Sequence, residues 1–296
     1  MHRFNVILPT YNNLGELKKC LAGFNRQTEK SFRVIVCIDG STDGTRTYLD
    51  SCNHSFAFTV VEHPDHGNHG RNAARNLALS FIDAEYCMLL DSDAVPAPGL
   101  LEAHKRYLDR ENGISLGIIR YSNTSTNLWA KYTEQRGRYR LSPYARIDYR
   151  FFNTGNVAFN SRFFLELEGQ DASMTHYGGG DSEFAIRLFD RFHPHFFNNT
   201  DAVAHSAMNK DLSGALAQME EFGRYNLRHI FNKHPAHRHL YGMSIMRKYA
   251  LLFSIAAGIS PVTALQKMIR FFPARIQMLL VRYLVVCSVY RGFSLK

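Results

Sequence analysis

Short apolar runs alternate with helical patterns over the first hundred residues. Apolar runs of four to eight residues predict strands, and apolar positions three and four apart predict helices. Leu14, Leu17, Leu21 and Phe24 have the second spacing. The pattern predicts strands over 4–8, 33–38, 56–61 and 86–90, and helices over 14–24, 45–49 and 72–81. Strands that alternate with helices imply an α/β fold with a mainly parallel sheet and helices on both faces.

The pattern is less regular after residue 100. It predicts a strand over 114–120 and helices over 162–167 and 181–192. Beyond residue 211 it predicts helices broken by Pro235, Pro261 and Pro273. We therefore expect an α/β domain over 1–210, in two halves that meet near residue 98, and a helical extension over 211–296.

Polar residues follow three of the predicted strands. They occupy 9–13 after the first strand, 39–44 after the second, and Asp91 and Asp93 after the fourth. Ligands of such sheets bind at the carboxyl ends of the strands. Asp39-Gly40 and Asp43-Gly44 are also ordinary turn dipeptides, so a turn without a ligand is the alternative for that loop.

Asp91 and Asp93 are the strongest candidates for a metal site. Residues two positions apart in an extended chain point to the same side, so the two carboxylates can share a ligand. Hard oxygen donors suit Mg²⁺ or Mn²⁺, which can then hold a diphosphate. An Asp-x-Asp triplet is also common in turns, and it needs its context to count.

Three further residues carry candidate chemistry. Asp181 follows three glycines and begins a predicted helix, where it can act as a general base or as an N-cap. Arg71 and Arg75 share one helix face and can meet a phosphate or a carboxylate, or form an exposed basic turn. The segment lacks the Lys-Ser/Thr of a P-loop, which excludes that class of nucleotide triphosphatase.

The net charge of +9 indicates an anionic partner. No Asp or Glu follows Glu221, whereas Lys and Arg recur among aliphatic residues to the end of the chain. That mixture favours an acidic membrane surface over nucleic acid, for which we find no motif. The alternatives are a solvated basic bundle, a cover over the catalytic domain or a homodimer interface.

The cysteines and the first residues predict a compartment. None of the five cysteines forms a Cys-x-x-Cys pair, which fits a reducing environment without disulfides. The chain enters a strand at once, so no signal peptide is expected. The apolar stretch 249–257 is short and Arg282 interrupts 276–290, so neither is predicted to span a membrane. We expect a cytoplasmic protein, peripheral on the cytoplasmic face of a membrane.

Six motifs in order carry a resemblance to a known family. They lie at 6–12, 39–43, 70–76, 90–93, 154–159 and 176–184. On these residues the first 205 positions resemble the family 2 glycosyltransferases with the GT-A fold. The fifth and sixth motifs are most similar to the chondroitin-polymerase and polypeptide GalNAc-transferase side of that family. The extension beyond about residue 210 is not covered.

The resemblance implies a role for each matched residue. It gives Thr10 and Tyr11 to the base and ribose, Asp39 to uracil, and Asp91 to the ribose or to a metal through water. It makes Asp93 and His205 the ligands of Mn²⁺ or Mg²⁺, although His205 alone would be taken as structural, and it makes Asp181 the catalytic base. The implied nucleotide-sugar site is Pro9, Thr10, Tyr11, Asn12, Asp39, Ser41, Asp43, Arg71, Arg75, Asp91, Ser92, Asn156 and Gly179.

The implied reaction moves a sugar, with inversion, from a nucleotide sugar (UDP-sugar) to a hydroxyl of a glycan or glycolipid, in synthesis of a bacterial surface polysaccharide or lipid-linked glycan. Aromatic faces stack on sugars and arginines meet phosphate or carboxylate. We expect acceptor contacts from Trp129, Tyr132, Arg138, His176, Tyr177 and Glu183. Relatives carry Glu at the position of Gly180, a departure that bears on the acceptor. The alternative is a non-catalytic protein that binds nucleotide sugars or glycans.

Overall fold

The computed structural model describes residues 2–111, 113–241, 265 and 268–295. The predicted apolar stretch 249–257 and Pro261 lie outside the described residues. The chain divides into two compact units. Unit 1 comprises Met1–Ser122, Arg136–Thr175 and Asp181–Ala207, and unit 2 comprises Asn123–Gln135, His176–Gly180 and Met208–Lys296.

Unit 1 is built on one mixed sheet with the strand order β3-β2-β1-β4-β8-β6-β9-β5, and β7 pairs with β9. The first four strands are parallel to one another, whereas β8 is antiparallel to both of its neighbours. The strands are β1 Phe4–Thr10, β2 Phe32–Ile38, β3 Ala57–Glu62, β4 Tyr86–Leu90, β5 Val95–Pro96, β6 Ile114–Tyr121, β7 Arg146–Ile147, β8 Asn156–Asn160 and β9 Phe196–Ser206. The predicted α/β class with a mixed, mainly parallel sheet is confirmed.

Helices of unit 1 cover the sheet. They are α1 Leu14–Phe24, α2 Thr45–Ser51, α3 Arg71–Asn76, α4 Leu100–Glu111, α6 Ser161–Glu166 and α7 Gly180–Phe192. Leu17, Leu21 and Phe24 of α1 are buried in the cluster that includes Phe4 and Val6 of β1. Every residue of β1 is buried, which explains why its apolar run Val6-Ile7-Leu8 does not alternate with polar residues.

Two predicted elements differ from the structure. The helix predicted over 72–81 is α3 followed by a separate 3-10 turn, Leu79–Phe81. Strand β9 has 11 residues, although the sequence indicated only the short apolar segment 202–204. Its first half contains Asn198 and Asn199, which are buried, and buried polar residues hide a strand from an apolar pattern.

A register shift between β6 and β9 explains two polar side chains in the sheet. The pairing slips between Leu116 and Ile118, which leaves carbonyl groups without regular ladder partners. Arg138 donates to the carbonyl oxygens of Leu116 and Gly117, and Asn156 donates to those of Ile118 and Ala202, both at 3.0 Å. Buried backbone carbonyls need such partners, so both side chains complete the sheet.

A chain of buried hydrogen bonds extends from Asn156 across the sheet. Asn199 Nδ2 donates to Ser115 Oγ at 2.9 Å, and Ser115 Oγ lies 2.9 Å from His104 Nδ1. His104 Nε2 is 3.0 Å from Asn156 Oδ1. Because the Asn156 amide nitrogen is used on the carbonyls, its oxygen accepts, and His104 carries its proton on Nε2. Burial lowers the pKa of His104 to about 4.

The described residues of unit 2 include the helices α5 Leu128–Glu134, α8 Leu212–Arg224, α9 Asn226–Lys233 and α10 Ala274–Ser294. Trp129, Leu216, Val281 and Leu284 share its apolar core. Helices α8 and α10 touch through two glycines, because a methyl group at Gly223 would overlap the Val289 carbonyl oxygen and one at Gly292 that of Glu220. Among the described residues α10 is long and apolar enough, by length and composition, to cross a membrane.

We predict that His104 makes unit 1 less stable in mild acid. Below its ordinary pKa of about 6.5 the unfolded chain takes up a proton that the folded chain refuses until about pH 4. The free energy of unfolding should therefore fall by about 3 kcal/mol between these pH values on account of this one group.

The measurement is urea unfolding of the wild type and of His104→Gln at several pH values between 7.5 and 4. The variant should be less stable at neutral pH and should lose less stability on acidification. Equal losses in the two proteins would rule out His104 as the source.

Candidate functional site

A cleft of about 410 Å³ opens at the carboxyl ends of β1, β2 and β4. The structure brings eight of the predicted residues together there: Pro9, Thr10, Tyr11, Asp39, Arg71, Asp91, Ser92 and Asp93. Four lining residues were not among the predicted site residues: Asn13, Asn68, Gly70 and Ala74. The motif at 70–76 contains two of these four and was the available signal for them.

Asp39 fixes the loop that forms one wall of the cleft. Its carboxylate accepts the backbone N–H of His69 at 2.8 Å and that of Gly70 at 3.1 Å. The Asn68 amide donates to the Asp39 carbonyl oxygen at 3.2 Å. The side chain of Asp39 is buried, with about 5% of it exposed at the cleft. A turn residue at the end of β2 therefore holds the chain before α3 in place.

Ser92 joins the end of β4 to the end of β1. Its hydroxyl donates to the Pro9 carbonyl oxygen at 2.7 Å and accepts from Asn13 Nδ2 at 2.9 Å. Thr10 Oγ1 in turn donates to Asn13 Oδ1. Because its hydroxyl hydrogen is used on Pro9, Ser92 shapes the cleft wall between Asp91 and Asp93.

Arg75 lies beneath the cleft and is 1% exposed. It donates to Asp91 Oδ1 at 2.9 Å and to Gln170 Oε1 at 3.1 Å. Burial lowers the pKa of this guanidinium, and the nearby charges of Asp91 and Asp181 oppose that effect. Gln170 was not predicted, because its distance of 95 residues along the chain gives no local signal.

The two carboxylates after β4 have different surroundings. Burial and the charge of Asp91 raise the pKa of Asp93 to about 6, and Arg71 works in the opposite direction. Asp91 is stabilised by the ion pair with Arg75. Negative charge on Asp93 is thus under-compensated by the protein alone, and a cation at this point would relieve it.

The donor set at 91–93 fits a hard divalent cation. Mg²⁺ is commonly held by one or two carboxylates together with water and the oxygens of a bound phosphate. Within the described ranges, no three His, Cys, Asp or Glu residues form a group that could hold a metal ion by themselves. His205 is exposed on β9, paired with Val95, and the structure does not bring it into such a group with Asp91 and Asp93.

Asp181 is held by the chain segment 153–155. Asn153 Nδ2 donates to its Oδ2 at 3.0 Å, and Thr154 Oγ1 donates to its Oδ1 at 2.6 Å. Gly155, the next residue, contacts the end of β4, because the Asp91 N–H donates to the Gly155 carbonyl oxygen at 3.2 Å. A side chain at Gly155 would come within 3.0 Å of Asp91 Oδ2. One short segment therefore connects Asp181 to Asp91.

Three residues predicted to bind the nucleotide sugar lie in the loops that precede α1 and α2, outside the lining of the cleft: Asn12, Ser41 and Asp43. The Ser41 hydroxyl accepts the Asn12 N–H at 3.1 Å. Asp43 accepts the N–H of Leu14 at 2.8 Å and the hydroxyl of Thr45 at 2.6 Å, so it tethers the starts of α1 and α2. Burial raises the pKa of Asp43, but these hydrogen bonds outweigh it and the net shift is downward.

Three side chains predicted to contact a ligand bond to other groups of unit 1 instead. Asn156 and Arg138, expected at the donor and at the acceptor, are buried and bonded to carbonyl groups at the β6–β9 register shift. Glu183, expected at the acceptor, is 0% exposed and paired with Arg187 at 2.9 Å. In each case a ligand would have to displace a buried partner, which makes these expectations inconsistent with the structure.

The remaining predicted residues lie in unit 2. Trp129 and Tyr132 are buried and stacked on each other, which contradicts the expectation that they present faces to a sugar. His176 stacks on Tyr225 with ring centroids 3.7 Å apart, and Glu221 accepts the Tyr177 N–H. Gly179 has φ +84, a conformation that favours glycine, so the local backbone by itself accounts for this residue.

Residues 5–166 match Glycosyl transferase family 2, which is more than half of the chain. A chondroitin synthase from Escherichia coli is 26% identical over 219 residues, which cover 62% of this chain and 32% of that protein. The chain thus spans about a third of the length of this relative.

Solved structures share the fold over nearly the whole chain. One is a mannosyltransferase, PcManGT from Pyrobaculum calidifontis in complex with GDP-Man and Mn²⁺, with a TM-score of 0.65 and 20% identity, covering 99% of this chain and 88% of that one. Another is S. aureus TarS 1–349 in complex with UDP-GlcNAc, with a TM-score of 0.61 and 16% identity, covering 99% and 89%.

We predict that Arg75→Met destabilises the protein by roughly 2–3 kcal/mol, because it leaves Asp91 without its partner. The value is below that of a fully buried pair because Asp91 retains access to water. Urea unfolding at pH 7 measures it. Arg71→Met, an exposed arginine of the same helix, serves as the matched control and should change stability by less than about 1 kcal/mol. Equal effects of the two substitutions would contradict the role of the buried pair.

Proposed function

Since this chain belongs to glycosyl transferase family 2, we propose that it transfers a sugar from a nucleotide sugar, UDP-sugar, to a hydroxyl group of a glycan or lipid-linked acceptor. The transfer inverts the anomeric carbon. The proposed setting is synthesis of a bacterial surface polysaccharide or lipid-linked glycan on the cytoplasmic face of a membrane.

One observation carries the proposal: the segment 153–155 bonds Asp181 on one side and Asp91 on the other. A sugar transferase needs a base for the acceptor hydroxyl and a site for the leaving diphosphate. Both must be held in a fixed position relative to the anomeric carbon of the sugar. Here the Asp181 carboxylate and the backbone of Asp91 are held by the same three residues, within one compact unit.

Asp181 is suited to the role of general base. Asn153 and Thr154 use one lone pair on each carboxylate oxygen, so each oxygen retains another for an acceptor hydroxyl. As the proton moves to Asp181, the acceptor oxygen forms its bond to the anomeric carbon. The bond to the diphosphate breaks on the opposite face, so the configuration inverts.

The donor is proposed to lie along the lining of the cleft. Tyr11 is 52% exposed and offers a ring on which a base can stack. Asp39 and Arg71 also line the cleft. Asp39 is proposed to accept an N–H group of the base, and Arg71 to provide positive charge for the diphosphate. Asp93, together with Asp91, would hold Mn²⁺ or Mg²⁺, which when bound supplies positive charge to the leaving diphosphate.

We predict that Asp181→Asn lowers kcat by about 10²–10⁴-fold, because an amide cannot accept the acceptor proton. The affinity for the nucleotide should stay within about threefold of the wild type, since Asp181 acts on the acceptor. Release of nucleoside diphosphate, measured with a panel of sugar nucleotides and acceptors, gives kcat, and calorimetry gives affinity. Asp190→Asn, an exposed position on the same helix, is the matched control.

The same assay distinguishes the alternative function, a non-catalytic protein that binds nucleotide sugars. If no sugar nucleotide is turned over, and if Asp93→Ala leaves nucleotide affinity in Mn²⁺ unchanged, the enzyme proposal is wrong. Retention of full transfer by Asp181→Asn would leave an enzyme but remove Asp181 from the role of base.

Helix α10 supports peripheral attachment to an acidic membrane. One face of α10, with Val281, Leu284 and Cys287, is buried within unit 2. The opposite face exposes Ile276, Leu279, Tyr283 and Val286, at spacings of three and four, and Phe271 just before the helix is 75% exposed. Arg270, Arg275 and Arg282 are exposed on this stretch, and no acidic residue follows Glu221 in the chain. The exposed apolar stripe could be buried in a membrane interface, where the flanking arginines would meet acidic headgroups.

We predict that the protein floats with vesicles containing anionic lipid and not with zwitterionic vesicles. Each basic residue near the surface contributes about 1 kcal/mol, so Arg275→Gln with Arg282→Gln should weaken binding roughly 30-fold. Leu279→Ser should also weaken it, whereas Leu165→Ser, an exposed leucine of unit 1, is the control. No flotation together with a dimeric mass would assign the stripe to a homodimer interface instead.

A further inference from the structure

A second cavity of about 320 Å³ adjoins the cleft and shares Asn68 and Gly70 with it. Its lining includes two histidines, His63 and His69, whose ring centroids are 4.4 Å apart. His69 Nε2 lies 2.9 Å from Asp65 Oδ2, so this ring nitrogen already has a partner. His63 Nε2 faces Asp39 Oδ1, and His63 lines the second cavity but is not among the residues that line the cleft.

The geometry of His63 is unusual for a buried imidazole. Its side chain is 11% exposed, and Nε2 is buried without a hydrogen-bond partner among the described residues. The nearest carboxylate oxygen, Asp39 Oδ1, lies 3.4 Å away. A buried ring nitrogen without a partner is costly, and Asp39 Oδ1 is the carboxylate oxygen within reach when Nε2 carries the ring proton.

The number of acceptor positions on Asp39 makes this contact consequential. A carboxylate has about four lone-pair sites. The N–H groups of His69 and Gly70 take one on each oxygen. If His63 donates from Nε2, it takes a third on Oδ1, and a single site remains on Oδ2 for a ligand in the cleft.

We propose that His63 is a positioning residue for Asp39 that determines which base the donor carries. One remaining acceptor site matches a base edge with a single N–H between two carbonyl groups, as in uracil. Guanine presents two adjacent N–H donors, which need both oxygens of a carboxylate. The inference rests on the proposed function, because it assumes that the cleft binds a nucleotide.

The test compares the free nucleotides UDP and GDP as probes, by calorimetry on the full chain with Mn²⁺ present. For the wild type we expect tighter binding of UDP. His63→Ala frees the acceptor site on Asp39 Oδ1, so it should strengthen GDP binding about tenfold, the value of one added hydrogen bond to a charged group, and should not strengthen UDP binding. The preference for UDP over GDP therefore falls at least tenfold.

Two variants separate positioning from packing. His63→Gln retains an N–H donor and should restore the preference to within about threefold of the wild type. His63→Leu retains bulk without a donor and should behave as His63→Ala does, and it replaces that variant if the alanine form does not fold. His66→Ala, an exposed histidine paired with Glu62 in the same loop, is the control and should have no effect.

The outcomes are distinguishable. An unchanged preference in folded His63→Ala or His63→Leu, or failure of His63→Gln to restore it, overturns the role of His63 while nucleotide binding stands. Tighter binding of GDP by the wild type overturns the uracil assignment alone. If neither nucleotide binds the wild type, the proposed function fails and the inference fails with it.

Discussion

The buried charge of Arg75 is the constraint on which the site depends. A guanidinium cannot give up its proton inside a protein, so a fold that buries one must surround it with acceptors. Asp91 provides the charge and Gln170 a carbonyl oxygen. This requirement fixes α3 against the end of β4 and draws in a distant loop. The Asp91 carboxylate is thereby held by Arg75 at the cleft. Burial and the charge of Asp91 leave Asp93 with a raised pKa.

Local pattern was sufficient for the sheet and for most of the cleft. Helix α1 and strand β4 begin and end at the predicted residues, because each buries a continuous or regularly spaced apolar set. The carboxyl ends of parallel strands lie along one edge, so the order of the strands is enough to place Thr10, Asp39 and Asp91 together. These are the positions where chain order and spatial order agree.

The remaining errors share one cause, which is that residue type does not specify what a side chain meets. Trp129 was expected at a sugar and is in the core of unit 2. Arg138 and Asn156 looked like ligand-binding residues and serve a register shift, which is a property of strand pairing. Asn153 and Thr154, which hold Asp181, were missed because the bond joins positions 27 and 28 residues apart. The local signals were the Asn-Thr-Gly turn before β8 and the motif at 154–159, which begins at Thr154.

The β6–β9 register shift affects how any mutational survey of this chain should be interpreted. Loss of Arg138 or Asn156 would expose carbonyl groups in the middle of the sheet, and a methyl group at Gly117 would overlap the Asn156 amide. Such variants would be inactive for lack of a folded sheet, and a screen that scores only turnover would count them beside true substrate contacts. Polar residues that tolerate no change therefore belong to two groups in this protein, those that complete the sheet and those that contact substrate. Only a parallel measurement of folding separates the two groups.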